Sequence, residues 1–135
     1  MNRLPLNINE KQIVRLASVY GITLMILFGS AAKGNMHSKS DVDIAVSLKR
    51  KISLKRELEL RHTLSLMMKR EVDLVFLTHA SPLLMGHVAT HGKLLYGSAK
   101  DFAEFRVRAM KQYIDFKPYF DLRIRTIQKT LKTYA

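Results

Sequence analysis

Three aspartates interrupt segments that are otherwise apolar: Asp41 and Asp43 in Asp41-Val-Asp-Ile-Ala-Val-Ser47, and Asp73 in Glu71-Val-Asp-Leu-Val-Phe-Leu77. An ionised carboxylate among buried strand residues is costly unless a cation or hydrogen bonds compensate it. A divalent metal is the economical compensation. Asp41 and Asp43 alternate with Val42 and Ile44, so on a strand they project to one face and can share a Mg²⁺. Asp73, on a neighbouring strand, then completes the oxygen ligands or accepts a proton from an attacking hydroxyl. Gly29 and Ser30 supply the other half of the chemistry. A glycine at a strand end lets backbone approach a phosphate, the serine adds a hydroxyl donor, and the amides that follow face the anion. Metal, donors and an acceptor for one proton are what phosphoryl and nucleotidyl transfer require. Each motif alone has a plainer reading: Gly-Ser as a turn, Asp-x-Asp as a solvated strand end, Asp73 as an edge residue facing water. Their occurrence together, in this order, favours the chemical one.

The elements that must position these residues follow from periodicity. Asn9 is an N-cap for a helix whose stripe is Ile13, Leu16, Ala17 and Tyr20, ended by Gly21. Ile22 to Phe28 is a continuous apolar run of strand length, expected at the centre of a sheet and buried on both faces. A small, polar stretch from Gly29 to Ser40 leads into the strand of Asp41 and Asp43. Ser53 to Met68 reads as a helix with Leu54, Leu58, Leu64 and Met68 among its apolar positions, and Glu71 to Leu77 as the strand of Asp73. Ser81 and Pro82 start a short helix ending near Gly92, and Lys93 to Gly97 read as a short strand or edge segment. Asp101 to Tyr134 is mainly helical, with a break or kink expected at Pro118. This alternation implies an α/β (α+β) sheet covered by helices, with residues 1–98 as the core and 99–135 as a C-terminal helical extension packed on that core or on a partner.

Composition bounds the rest. At 135 residues the chain supports one core, and 47% hydrophobic with 25% charged residues is the balance of a globular protein. Without cysteine, disulfides and thiolate metal sites are excluded, which leaves hard oxygen ligands or histidines, with Mg²⁺ or Mn²⁺ the expected metal. No apolar run approaches the roughly 20 residues of a membrane span. Asn7, Asn9, Glu10 and Lys11 interrupt any signal-like core, so a cytoplasmic protein is expected. The net charge of +12 is concentrated: between Lys49 and Arg70 eight basic residues face only Glu57 and Glu59. That field suits nucleic acid, nucleotides or an acidic protein surface. The histidines show no zinc-type spacing and receive no chemistry; His37 lies in the polar stretch between the motif halves.

The segment FGSAAKGNMHSKSDVDIAV resembles the minimal nucleotidyltransferases of the DNA-polymerase-β superfamily, with Gly29, Ser30, Gly34, Ser40, Asp41 and Asp43 in register. The resemblance continues through Asp73, matching the third carboxylate, to Gly92 and Tyr96, and covers about 100 residues. It implies a nucleotidyltransferase fold with a mixed sheet, and a Mg²⁺-dependent attack on the α-phosphate of a nucleoside triphosphate such as ATP with release of pyrophosphate. By that match Asp41, Asp43 and Asp73 are the catalytic and metal-binding set, and Gly29, Ser30, Lys33 and Ser40 bind the nucleotide. Ala31 departs from the pattern, since many relatives carry arginine there; that phosphate contact is missing or falls to Lys33.

Larger members add domains for their acceptors, and this chain has almost no room for one. Small stand-alone members are similar to the MNT antitoxins, which pair with HEPN-domain RNase toxins and neutralise them by transferring AMP to a toxin tyrosine. Such a partner is the leading expectation, with the aromatic-rich C-terminal helix (Phe102, Phe105, Tyr113, Phe116, Tyr119, Phe120) as a docking element or as packing on its own sheet. The alternatives are an antitoxin that inhibits only by occlusion, and a nucleotidyltransferase acting on RNA or a small molecule.

Overall fold

The computed structural model describes residues 8–29, 32 and 41–134. Its elements are α1 (Glu10–Tyr20), β1 (Ile22–Phe28), β2 (Val42–Leu48), α2 (Leu54–Met68), β3 (Val72–Phe76), α3 (Pro82–His91), β4 (Lys93–Tyr96) and α4 (Ala99–Tyr134), with a 3₁₀ turn at Leu77–His79. The helix starts are local and chemical. The side chains of Asn9, Ser53 and Ser81 accept hydrogen bonds from the amides of Lys11, Arg56 and Leu84. Gly21 closes α1 in the left-handed conformation, at φ +69°.

The strands form one sheet in the order β3-β2-β1-β4. β1 runs antiparallel to β2 and β4, whereas β2 and β3 are parallel. The sheet is therefore mixed. β1 is interior, which is why six of its seven residues are buried. Two helical layers cover it. Ile13, Leu16, Leu60, Leu64 and Met68 of α1 and α2 pack with Met25, Leu27, Ile44 and Val46 on one face. Val88, Ala89, Phe105 and Ala109 of α3 and α4 pack with Leu24, Ile26, Phe28 and Ala45 on the other. Each large side chain so enclosed contributes roughly 1.5–3 kcal/mol.

The alternation that buries Val42 and Ile44 under α2 turns Asp43 and Ala45 toward α3 and α4. The start expected for the C-terminal helix, and the break that was one of the two outcomes expected at Pro118, need correction in detail. α4 starts two residues before Asp101, and it runs unbroken through Pro118. A proline removes one amide and frees the carbonyl four residues back, here that of Ile114; Ile114 is exposed, so water can satisfy that carbonyl and the helix continues.

Candidate functional site

β1 delivers Phe28 and Gly29 to the rim of the sheet at which β2 and β3 begin. Phe28 lies opposite Asp43 in the antiparallel ladder, and Asp43 lies opposite Asp73 in the parallel one. Asp41 stands just before β2, exposed. The three aspartates therefore meet at one rim, from adjacent strands. Their placement is tied down from α2. The Val42 amide donates to the Glu71 carbonyl at 2.9 Å, the Val72 amide donates to Ser65 Oγ at 3.1 Å, and Arg61 Nε donates to the Val72 carbonyl at 3.1 Å. These bonds flank Asp73 and hold the start of the β2–β3 ladder in register.

Only Asp43 is partly buried; Asp41 and Asp73 are exposed. The expectation of three costly buried carboxylates is corrected accordingly: burial acts on Asp43, and repulsion among like charges acts on the set. Burial raises the Asp43 pKa above the ordinary carboxylate value, Asp73 and then Asp41 raise it further, and His87 opposes them. A cation at this rim would relieve that repulsion.

Gly29 closes the site from the other side. It turns the chain at φ +72°, and a β-carbon there would collide with the Asp43 carboxylate. Ala32, buried at 3%, returns the chain to the core shared with α1 and α2. Ser30, Lys33 and Ser40, with Ala31 and His37, lie outside the described residues.

His87, given no chemistry by the sequence reading, reaches the site from α3. Its ring meets that of Phe28 edge-on, with centroids 6.2 Å apart, and tilts against His91 at 4.9 Å. The sequence signal was faint: histidines four apart in a helix that is otherwise mostly apolar. Nothing local said that α3 folds back over the end of β1.

Among the described residues no group of three histidine, aspartate or glutamate side chains is arranged to hold a metal ion unaided. Mg²⁺ is commonly bound through one or two carboxylates, with substrate phosphates and waters as its remaining ligands. The all-oxygen pair Asp41 and Asp43 fits that mode.

Two other features start away from this rim. A cavity of about 670 Å³ between α1 and β4, lined by Ala17, Gly21, Ile22 and Tyr96, opens at the opposite end of β1. The basic cluster begins at Lys49, beyond the far end of β2, about 20 Å from the carboxylates along a seven-residue strand. Arg56 of that cluster is already engaged, donating to the Val19 carbonyl at 3.0 Å with its guanidinium 4.5 Å from the Tyr20 ring centre. The positive charge is therefore divided: Lys49, Arg50 and Lys51 stand at the far end of β2, whereas Arg61, Lys69 and Arg70 stand at the start of β3, beside the acidic rim. No described helix is long and apolar enough to cross a membrane.

Comparison with known proteins agrees with this geometry. Residues 11–101 match the family described as polymerase beta, nucleotidyltransferase. The chain is 35% identical over 108 residues to the protein adenylyltransferase MntA of Shewanella oneidensis, covering 78% of each. It superposes with a TM-score of 0.79 on a chain of a toxin–antitoxin crystal structure containing AMP-PNP, at 32% identity, over 89% of this chain and 98% of that one. A second structure holds a tri-AMPylated Shewanella oneidensis HEPN toxin in complex with an MNT antitoxin. The matched chain there gives a TM-score of 0.72 at 29% identity, over 88% of this chain and 95% of that one.

Proposed function

Because the chain belongs to the polymerase-β nucleotidyltransferase family, we propose that it transfers AMP from ATP to a tyrosine of a HEPN-type toxin and so acts as that toxin's antitoxin. The observation that carries the reading is the pairing of Asp43 with Asp73 on parallel strands, at the rim to which β1 brings Gly29. The similarity to a protein adenylyltransferase supports a protein acceptor, and the likeness to complexes of a HEPN toxin supports its class.

Asp73 stands exposed at the start of β3 and takes the proton from the tyrosine hydroxyl. The phenolic oxygen forms a bond to the α-phosphorus of ATP. The bond from that phosphorus to the oxygen bridging to the β-phosphate breaks, and pyrophosphate leaves. Gly29 with Ser30, and Lys33 with Ser40, hold the triphosphate in line. Asp41 and Asp43, with Asp73 beside them, would hold Mg²⁺ or Mn²⁺, which when bound would neutralise charge on the phosphates. The hydrogen bonds that Val72 donates to Ser65 and accepts from Arg61 keep the carboxylates aligned.

The test is transfer of label from α-phosphate-labelled ATP to a purified HEPN-family partner in Mg²⁺, comparing wild type with Asp41→Asn/Asp43→Asn. Label on the partner with wild type alone is expected. Absence of label, with the partner bound and inhibited equally by both proteins, would replace catalysis with occlusion.

A further inference from the structure

α4 is far longer than the surface it covers. Its 36 residues span about 54 Å, and its buried side chains, Phe105 and Ala109, lie in the first third. Next along the same face comes Tyr113. A β-carbon on Gly86 would meet the Tyr113 ring at 2.8 Å, so this is the face that packs on α3.

The stripe does not stop there. Phe116, Phe120, Ile124, Ile127, Leu131 and Tyr134 follow at spacings of three or four residues, which average 3.5 and keep one face of the helix apolar over a further 30 Å or so. The Phe116 and Phe120 rings pack on each other with centroids 6.2 Å apart. Beyond them Ile127 is 46% exposed, Leu131 63% and Tyr134 85%. A continuous apolar stripe that begins inside a packed interface and runs out into solvent is a surface shaped to be covered.

Charge selects what covers it. From Leu122 to Tyr134 the helix carries Arg123, Arg125, Lys129 and Lys132 and no acidic residue. A second copy of α4 laid against this stripe would bring the two basic sets together. An RNA would be drawn by the basic residues and gain nothing from the isoleucines. We infer that the distal half of α4 docks the toxin partner itself, through an apolar surface of that partner rimmed by aspartate and glutamate. This rests on the proposed function for the identity of the partner. The docking surface thereby stands on the same helix face that meets α3, the helix carrying His87 to the acidic rim.

The test uses the full chain and a purified HEPN-family protein. Ile127→Asp/Leu131→Asp changes two exposed positions, and circular dichroism with the affinity for Mg²⁺-ATP checks that the fold and the nucleotide site are intact. Expected are an affinity for the partner weaker on the order of 100-fold and a matching loss of AMP transfer at low partner concentration. Reversal of charge at Arg123 and Lys129 is expected to weaken the complex as well, and rising salt to do so in wild type. If wild type labels the partner and the apolar variant binds and labels it equally, this inference falls and the proposed function stands. If wild type neither binds nor labels the partner, both fall. Two further outcomes overturn the inference: a wild-type homodimer that the apolar variant makes monomeric without weakening partner binding, and binding that responds to charge reversal but not to Ile127→Asp/Leu131→Asp.

Discussion

Gly29 lies directly against the carboxylate of Asp43, and its backbone is left-handed at φ +72°. Strain and collision can be separated here, because Gly21 has nearly the same φ, +69°, while a β-carbon there would meet only Lys49 Cβ at 3.9 Å. Gly21→Ala should cost about 1–2 kcal/mol from the left-handed backbone alone and leave AMP transfer intact. Gly29→Ala should cost at least as much and also displace Asp43, lowering transfer by a factor on the order of 100 or more. Chemical denaturation and labelled-ATP transfer on both variants decide it. Equal activity in the two would show that the contact with Asp43 is dispensable.

Asp43 is held at a raised pKa, by burial first and by Asp73 and Asp41 next. A carboxyl group raised on folding contributes stability that is full below its unfolded pKa and lost as pH rises through its folded value. Asp43→Asn should therefore match wild type in strongly acidic solution and exceed it in stability at neutral pH, while losing transfer. Added Mg²⁺ should stabilise wild type and not the variant. A variant less stable than wild type at pH 7 without Mg²⁺ would contradict this account.

What could be read from the residues was mostly local. Asn9, Ser53 and Ser81 cap their helices through their own side chains, and Gly21 ends α1 by its own backbone freedom. The shared face of Asp41 and Asp43 followed from strand alternation. The abreast placement of Asp43 and Asp73 did not, because pairing of β2 with β3 is set by how α2 returns the chain, with Ser65 and Arg61 bonding to Val72. His87 was invisible for the same reason: its place over Phe28 comes from the packing of α3 on the sheet. At Pro118 the helix continues without a break, since the exposed carbonyl four residues back can be met by water.

Asp73→Asn separates the two effects of that carboxylate. It removes the proton acceptor, so transfer should fall by about 10²–10⁴. It also removes a like charge beside Asp43, whose pKa should move down toward the ordinary value. Carboxyl-carbon NMR of Asp43 with parallel rate measurements checks both. A fall in rate with no movement of the Asp43 titration would mean that the two side chains do not share a site.

His87 acts on the same carboxylate with the opposite sign. Its positive charge lowers the Asp43 pKa against the effects of burial and the other aspartates. His87→Gln keeps polarity without the charge, and the Asp43 titration should then shift upward. The acid limb of the transfer rate should move to higher pH with it. An unchanged or lowered Asp43 titration in His87→Gln would place the imidazole outside the field of the site.

Gly86 and Tyr113 set how closely α4 approaches α3. A β-carbon on Gly86 would stand 2.8 Å from ring atoms of Tyr113 and 2.9 Å from its Cβ, so relief requires the helices to part rather than a side-chain tip to swing. Alanine is the better helix former by about 1 kcal/mol, and on that ground alone Gly86→Ala would stabilise α3. Overpacking costs about 1–3 kcal/mol and should prevail, giving a net loss of stability. Because His87 is the next residue on α3, the displacement should also reach Phe28 and the rim of Asp43. Tyr113→Ala should restore part of the stability lost in Gly86→Ala, a non-additivity readable in a double-mutant cycle by chemical denaturation. Strictly additive losses would mean that α3 and α4 meet elsewhere.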